Sequence, residues 1–409
     1  MCRTERAVIN SEIGQIEIAS QEGDMIYNSR FARRALLGLL SSVLSFVATA
    51  TPTENVRDGK EPVPEADGVI PQKIVHRTAP PMGSTINPFG KAPPSASMGY
   101  QPPAGGTSPN AYPIQYYGGP VMASLSKVVL IWYGNWNQSN KTDTPTGQQI
   151  IRNAIYGLGY DAGMQSSYGS YTDYSGLTTG ANGIGGFGQY TQSVAGGVTR
   201  VASTTILECT QPSSSIYGGK TLSDSTVQSL VKAAAKSSCS GGTPDASAVY
   251  LVLSSSDIRE SSGFLTKYCG WHTYTTMSTP SGSAAIKYGF IGNPSKSIGS
   301  CTYQTTSSPN NNPGVDAMVS VIAHELDETV TDPELNAWYN AQGSENGDMC
   351  AWTFGSSQTL LSNGSYYNVT LPVPTTPVVQ GNYSGQYLIQ RALAVNNSAC
   401  YVNANPIIQ

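Results

Sequence analysis

Residues 324–328 read H-E-L-D-E, which combines one imidazole with three carboxylates in little more than one helical turn. They end the apolar run 315–323, whose composition is typical of a helix. Positions i and i+4 of a helix share one face, so His324 and Glu328 point together and Glu325 lies one step round. This is the zinc-protease H-E-x-x-H helix with Glu in place of the second His. The pattern predicts a metal held by His324 and Glu328, with Glu325 as the catalytic general base toward water.

The same residues also have a purely structural interpretation, since amphipathic helices often end in an acidic turn and short H-E pairs arise by chance. The scarcity of histidine in the chain favours the metal site. The chain has only three histidines, and one of them precedes Glu325 and follows a run of buried type. Asp327 and Asp332 could orient His324 as partners behind the metal. The favoured interpretation of these two residues is ordinary solvated charge and a helix stop.

A catalytic zinc takes three protein ligands and keeps one position open, so a third ligand must come from outside the helix. Glu345 and Asp348 lie in a stretch that can fold back toward the helix or form an ordinary polar turn. His272, on a predicted strand, is the other choice, although an isolated histidine is more often a hydrogen-bonded core residue. Zinc is the expected ion, and a carboxylate-rich set also accommodates Ca²⁺ or Mn²⁺.

Composition and motifs argue against several other functions. No Gly-rich phosphate loop, G-x-S-x-G elbow or Cys–His nucleophile stands out. The net charge is −4, and clusters of Lys and Arg are absent after residue 50, so nucleic acid and anionic membranes are poor partners. Charged residues make up 12% of the chain, about half the usual fraction, which suits an extracellular protein.

The N-terminal region is typical of a secreted protein. Basic residues precede the apolar run 35–47, and Ala48-Thr49-Ala50 follows it, which is the pattern of a cleaved signal peptide. The run is short for a transmembrane helix. We expect residues 1–50 to be the signal peptide region, with translation starting at Met25 because the polar residues before it do not suit a signal. Prolines punctuate residues 51–110, which predicts a linker or propeptide.

Cysteines and sequons agree with secretion. One cysteine precedes the signal, and the remaining six predict up to three disulfides whose pairing the sequence does not choose. None of them forms C-x-x-C, so a cysteine zinc site is not expected. The six cysteines are Cys209, Cys239, Cys269, Cys301, Cys350 and Cys400. The sequons, each a prediction of surface exposure, are Asn137, Asn140, Asn363, Asn368, Asn382 and Asn396.

From residue 111 onward the chain alternates predicted strands with predicted helices. The predicted strands are 127–134, 198–208, 248–253, 268–274 and 284–292. The predicted helices are 145–158, 224–237 and 314–330. Residues 159–195 are a long loop or irregular β region, and 365–404 are predicted to be β. The expected fold is α/β or α+β, a single disulfide-stabilised globular domain over 111–409 with a mixed β-sheet and the zincin-like helix.

Short motifs occur in a characteristic order along this domain. They are Gly263-Phe264, Cys269-Gly270-Trp271-His272, 288–293, Cys301, 314–318, 324–328, 336–339, Glu345, Asp348, Cys350 and Cys400. Over roughly residues 115–402 the set resembles the phosphate-induced protein 1, or Exordium, family of secreted plant cell-wall proteins. Plant members carry a similar H-E-x-x-E helix and a later E-x-x-D-x-C segment. The resemblance implies motif positions for His272, His324, Glu325, Glu328, Glu345 and Asp348.

The Exordium resemblance implies an extracellular role in growth without a settled catalytic activity, and two functions follow. One is a zinc-dependent, peptidase-like hydrolase. The other is a non-catalytic signalling or carbohydrate-binding protein of the cell wall or apoplast. Its partners would be extracellular proteins or wall polysaccharides, with no membrane contact after signal cleavage. The aromatic residues that could stack on sugars, or belong to the core instead, are Trp132, Tyr133, Trp136, Trp338 and Trp352.

Overall fold

The computed structural model describes residues 77–79, 114–122, 125, 127–160, 188–192, 198–203, 205–211, 218–371, 385–394 and 399–402. The predicted signal peptide lies outside these residues, as does most of the predicted linker. The chain divides into two compact units, Met1–Pro71 and Gln72–Gln409, and every described residue belongs to the second. Within the described residues, no helix combines the length and apolar character that crossing a membrane requires.

The described residues of the second unit form three α-helices and a series of strands. The helices are α1 (Pro145–Tyr160), α2 (Asp224–Ala235) and α3 (Pro313–Thr331). The first strands are β1 (Arg77–Ala79), β2 (Gln115–Tyr116), β3 (Lys127–Tyr133), β4 (Gly188–Gln192), β5 (Val198–Ser203), β6 (Thr205–Gln211), β7 (Thr221–Leu222), β8 (Ala248–Ser254) and β9 (Arg259–Glu260). The later strands are β10 (Gly270–Thr279), β11 (Gly282–Gly292), β12 (Trp338–Tyr339), β13 (Thr359–Leu360), β14 (Tyr366–Tyr367), β15 (Val369–Thr370), β16 (Gln386–Tyr387), β17 (Ala392–Ala394) and β18 (Ala399–Tyr401).

A mixed six-stranded sheet in the order β1-β10-β11-β8-β3-β6 forms the framework of this unit. Strands β11, β8, β3 and β6 run parallel, whereas β10 is antiparallel to both of its neighbours. Strand β1 comes from the segment predicted as a linker, and its Arg77 is in register with His272 of β10. Three residues of that segment therefore complete one edge of the sheet.

Both faces of the sheet are covered, which explains why its central parallel strands β3 and β8 are almost continuously apolar. On one face, Val128, Leu130 and Trp132 share a core with residues of α1 and α3. On the other face, Val129, Ile131 and Tyr133 pack with residues of α2. The alternation follows from the two-residue period of a strand. The observed architecture is a helix–sheet–helix sandwich, which confirms the predicted mixed α/β class.

Three disulfides link the predicted six cysteines in sequential pairs. Cys209 bonds Cys239, Cys269 bonds Cys301, and Cys350 bonds Cys400. The second bond joins the start of β10 to the region before α3. In the third bond, Cys350 lies two residues after Asp348. Two of the three disulfides therefore brace elements that carry the predicted site residues.

Candidate metal centre

Helix α3 carries the H-E-L-D-E sequence and is buried over its whole length from Gly314 to Thr331. Its first turn is fixed by Pro313 and by Asn312, whose side chain accepts a hydrogen bond from the Val315 amide at 3.3 Å. The residues that cover α3 leave its carboxylates no access to bulk water. A helix that is buried on every side normally carries apolar residues, so these carboxylates require a specific explanation.

His324 and Glu328 face each other as the helical spacing predicts. His324 Nε2 lies 3.0 Å from Glu328 Oε1 and 3.6 Å from Asp348 Oδ1. The first distance is short, but the atoms do not have hydrogen-bond geometry, and both ring nitrogens of His324 lack a hydrogen-bond partner among the described residues. An imidazole nitrogen that approaches carboxylate oxygens without donating to them is arranged as a metal ligand would be.

His272 and Glu345 meet on the other side of the Glu328 carboxylate. His272 Nε2 lies 3.1 Å from Glu345 Oε2 and 3.7 Å from Glu328 Oε2. Glu328 Oε2 is buried and accepts no hydrogen bond. The two oxygens of Glu328 therefore face two different histidines, one from the same helix and one from β10.

A tight turn after α3 brings the remaining carboxylate into place. The Asp348 amide donates to Glu328 Oε1 at 2.9 Å, and the Glu345 amide donates to Asp348 Oδ2 at 3.2 Å. Gly347 lies against the site, since a Cβ there would stand 2.8 Å from Glu328 Oε1 and 3.0 Å from His324 Nδ1. The turn can approach the helix this closely only because residue 347 has no side chain.

Strand β10 approaches α3 through another glycine. A Cβ at Gly270 would lie 2.6 Å from Val321 Cγ1 and 3.0 Å from Glu325 Oε1. The missing side chain lets α3 pack directly on the strand that carries His272. Glycine thus permits close contact on two sides of the candidate centre.

Among the described residues, two sets of potential ligands have atoms that all lie within 4.8 Å of one another. The first set is His272, Glu325 and Glu328, and the second is His324, Glu328 and Asp348. All of these residues are buried. A mixture of imidazole and carboxylate ligands suits Zn²⁺ and also Mn²⁺ or Fe²⁺.

Burial and charge perturb the acid–base behaviour of α3. Burial alone lowers the pKa of His324, but the carboxylates of Glu328 and Asp348 outweigh it and raise this pKa well above the ordinary histidine value. Burial, followed by the negative charge of Glu328, raises the pKa of Asp327 well above its ordinary value. These shifts reflect a surplus of carboxylate in a buried site.

The structure brings together every residue that the sequence nominated. His324, Glu325 and Glu328 come from α3, His272 comes from β10, and the turn before Cys350 supplies its two carboxylates, of Glu345 and Asp348. The three candidates for the third ligand, His272, Glu345 and Asp348, therefore all lie around the carboxylate of Glu328. Their metal-binding roles, and the role of Glu325 as the general base, stay predictions.

Asp327 and Asp332 differ from the expectation of solvated charge, since both are fully buried. Asp332 Oδ1 accepts from the amides of Asn336 and Ala337, both at 2.6 Å, so Asp332 fixes the chain reversal after the helix. Neither oxygen of Asp327 has a hydrogen-bond partner in the described part of the chain, and Nδ1 of His324 has none either. Among the described residues, Asp327 therefore accepts no hydrogen bond from the His324 ring and does not orient it in this way.

Gly347 was expected only to set the bend of the turn, and no contact with the centre was predicted for Gly347 or Gly270, although both shape it. Their positions in the sequence could have indicated these contacts. Gly347 lies between Glu345 and Asp348, and Gly270 lies two residues before His272. The side chain of His76, the third histidine, lies outside the described residues.

Four of the aromatic residues considered for sugar stacking belong to the core. Trp132, Tyr133, Trp136 and Trp352 are all buried. Trp338 is half-buried on β12, where its ring centroid lies 5.4 Å from that of Tyr116. On the adjoining positions Tyr117 and Tyr339 stack at 4.0 Å, and Tyr117 is 44% exposed. Of the aromatic residues considered for sugar stacking, the accessible one therefore lies on this small β2–β12 ribbon.

Comparison with known proteins relates the chain to one family. The family described as "Phosphate-induced protein 1 conserved region" matches residues 114–402. The chain is 30% identical over 285 residues to "Protein EXORDIUM-like 3" of Arabidopsis thaliana, covering 63% of this chain and 73% of that protein. It is 29% identical over 269 residues to "Protein EXORDIUM-like 5" of the same plant, covering 61% and 67%. No solved structure matches the chain.

Proposed function

The chain belongs to the phosphate-induced protein 1 family, and from this premise we propose that it is a secreted, metal-dependent hydrolase of peptidase type. The proposed ion is zinc, held by His324 and Glu328 with Asp348, and Glu325 is the proposed general base. The observation that supports this most strongly is a buried cluster of two histidines and four carboxylates, one of which is the central Glu328. The three disulfides of the domain agree with an extracellular location.

The argument for a metal rests on the cost of burying charge. Moving one carboxylate out of water costs several kcal/mol unless a cation or strong hydrogen bonds compensate. In the described part of the chain, the ionic partners of Glu328 and Asp348 are the two histidines. Two imidazoles cannot neutralise all the carboxylates that surround them. A bound divalent ion removes the imbalance and also uses the nitrogen and oxygen atoms that lack hydrogen bonds.

The same arrangement supplies the parts of a hydrolytic reaction. When bound, the metal would polarise a water molecule and the scissile carbonyl. Glu325 is fully buried beside the ligands, so its carboxylate can take a proton from the attacking water. The water oxygen bonds to the carbonyl carbon, the C–N bond breaks, and Glu325 passes the proton to the leaving amine. Atoms and charge balance without a further reactant.

Metal content and peptide hydrolysis test this proposal together. The secreted protein should retain zinc after gel filtration, and His324→Ala should lose metal while its fold persists. Glu325→Gln should keep the metal and reduce hydrolysis of a peptide library by about 10²–10⁴-fold. Glu334→Gln, which removes a half-buried carboxylate outside the cluster, serves as the control. A wild-type protein without stoichiometric metal would end the hydrolase proposal.

The aromatic ribbon favours a second function, non-catalytic binding of wall polysaccharide. Tyr117 and Tyr339 form a stacked pair with one exposed face, which suits contact with a sugar ring. Tyr117→Ala should weaken retention on insoluble wall polysaccharide, whereas Leu360→Ala, at another exposed apolar position, should not. Equal retention of both variants and the wild type would exclude the ribbon as a sugar-binding surface.

A further inference from the structure

The two oxygens of Glu328 are the feature from which we infer a centre for two metal ions. Oε1 faces His324 Nε2 at 3.0 Å, and Oε2 faces His272 Nε2 at 3.7 Å. Each histidine also contacts a further carboxylate, Asp348 for His324 and Glu345 for His272. A carboxylate with a separate imidazole and a separate carboxylate on each side is arranged to bridge two ions. This inference rests on the metal site of the proposed function.

A single ion does not account for both histidines at the present geometry. Two atoms that bind one zinc at about 2.1 Å can be no more than about 4.2 Å apart. Among the described residues, the two sets of atoms within 4.8 Å of one another share Glu328, and neither contains both histidines. An ion in one set therefore leaves the other histidine and its carboxylate without a cation.

The charge of the cluster agrees with two ions. Glu325, Glu328, Glu345 and Asp348 carry four negative charges when ionised, and all four side chains are buried. One divalent ion would leave two of these charges uncompensated in a buried region, which is costly. Two divalent ions neutralise the four carboxylates.

Three ligand atoms at the bridge have no hydrogen bond among the described residues. They are Oε2 of Glu328, Oδ1 of Asp348 and Nε2 of His324. On the His272 side the proposed ligands are His272, Glu328 and Glu345, and Glu325 stays the general base. Pairs of ions about 3.5–4 Å apart clamp the attacking and leaving groups in hydrolytic enzymes. Zn²⁺ or Mn²⁺ suits both halves, since each half offers one imidazole and at least two carboxylates.

Metal stoichiometry of the full secreted chain tests the inference. The probe is Zn²⁺ alone, measured by plasma mass spectrometry after removal of free ion. We expect about two equivalents in the wild type, about one in His272→Ala and in His324→Ala, and fewer than one in Glu328→Gln. Glu334→Gln, with the same charge change away from the cluster, should keep two.

A spectroscopic measurement on the wild type avoids dependence on variants that fail to fold. Mn²⁺ loaded to saturation should give an exchange-coupled electron paramagnetic resonance spectrum, because the two ions share a carboxylate. One equivalent in the wild type, with an uncoupled spectrum, would overturn the two-ion inference and leave the single-metal hydrolase intact. No bound metal at all would overturn both.

Discussion

Gly347→Ala is the most informative small change near the centre, because the residue bears no ligand and its backbone suits alanine. Its φ and ψ are −66° and −46°, an ordinary right-handed helical conformation. The added Cβ would lie 2.8 Å from Glu328 Oε1, against about 3.4 Å at the lower end of ordinary contact, so about 0.6 Å must be recovered. It would also lie 3.0 Å from His324 Nδ1. Both proposed ligands must therefore move.

A displacement of this size matters because metal–ligand distances tolerate only about 0.2 Å. Changes beside metal ligands typically reduce affinity by about 10–100-fold, or roughly 1.4–2.7 kcal/mol. We expect Gly347→Ala to lower zinc affinity within that range, measured by competition with a chromogenic chelator. Thermal unfolding in excess chelator checks that the fold is intact.

The matched control is Gly299→Ala, at an exposed helical position where a Cβ would meet no atom within 4 Å. It should bind zinc as the wild type does. Wild-type affinity in a folded Gly347→Ala protein would refute the placement of the turn against the ligands.

Three further predictions concern stability and modification. Burial raises the pKa of Asp316 to about 6, so the folded state holds a proton that the unfolded state releases near pH 4. Stability should therefore fall by about 2 kcal/mol from pH 4 to pH 6 relative to Asp316→Asn in urea titrations, and a constant difference would contradict this. The disulfide between Cys350 and Cys400 spans 50 residues, so Cys400→Ser should cost about 2–5 kcal/mol in denaturant unfolding, and unchanged stability would show that the bond does not form. Asn137 is exposed, whereas the Asn368 amide donates to two backbone carbonyls at 3.0 and 2.7 Å. Peptide mapping should find glycan on Asn137 and none on Asn368. The reverse pattern would contradict the exposure of Asn137 and the hydrogen bonds of Asn368.

Much of the fold was predictable because local signals and burial agree. The apolar run at 127–134 is β3, and the Ser223 cap begins α2 as expected, with a reciprocal capping box to Thr226. The predicted strand 198–208 is wrong in extent, since two strands, Val198–Ser203 and Thr205–Gln211, occupy the region. The two strands belong to different sheets, since β5 pairs with β4 and β6 pairs with β3, and apolar periodicity along the chain does not show this.

Strand β1 could not be predicted, because its residues lie in a proline-rich segment and form a strand only by pairing with β10. Such edge pairing depends on the partner strand and leaves little trace in local sequence. The prediction of a linker over 51–110 therefore omitted a structural element at the edge of the main sheet.

The candidate centre was predictable only in part, because some of its residues are brought together by tertiary packing. Helical periodicity alone places His324 and Glu328 on one face. The choice among His272, Glu345 and Asp348 depended on how a strand and a turn pack against α3, which spacing does not reveal. The cysteines gave indirect guidance, since Cys269 and Cys350 are each within three residues of a nominated site residue and are both disulfide-bonded.

Anomalous X-ray diffraction from crystals of the zinc-loaded protein tests the central claim most directly. The account predicts an anomalous peak at the zinc edge about 2.0–2.2 Å from the carboxylate of Glu328 and from a nitrogen of His324. The two-ion inference adds a second peak beside His272. Crystals without a peak in the cluster, with His324 and Glu328 joined by an ordinary hydrogen bond, would contradict the metal centre.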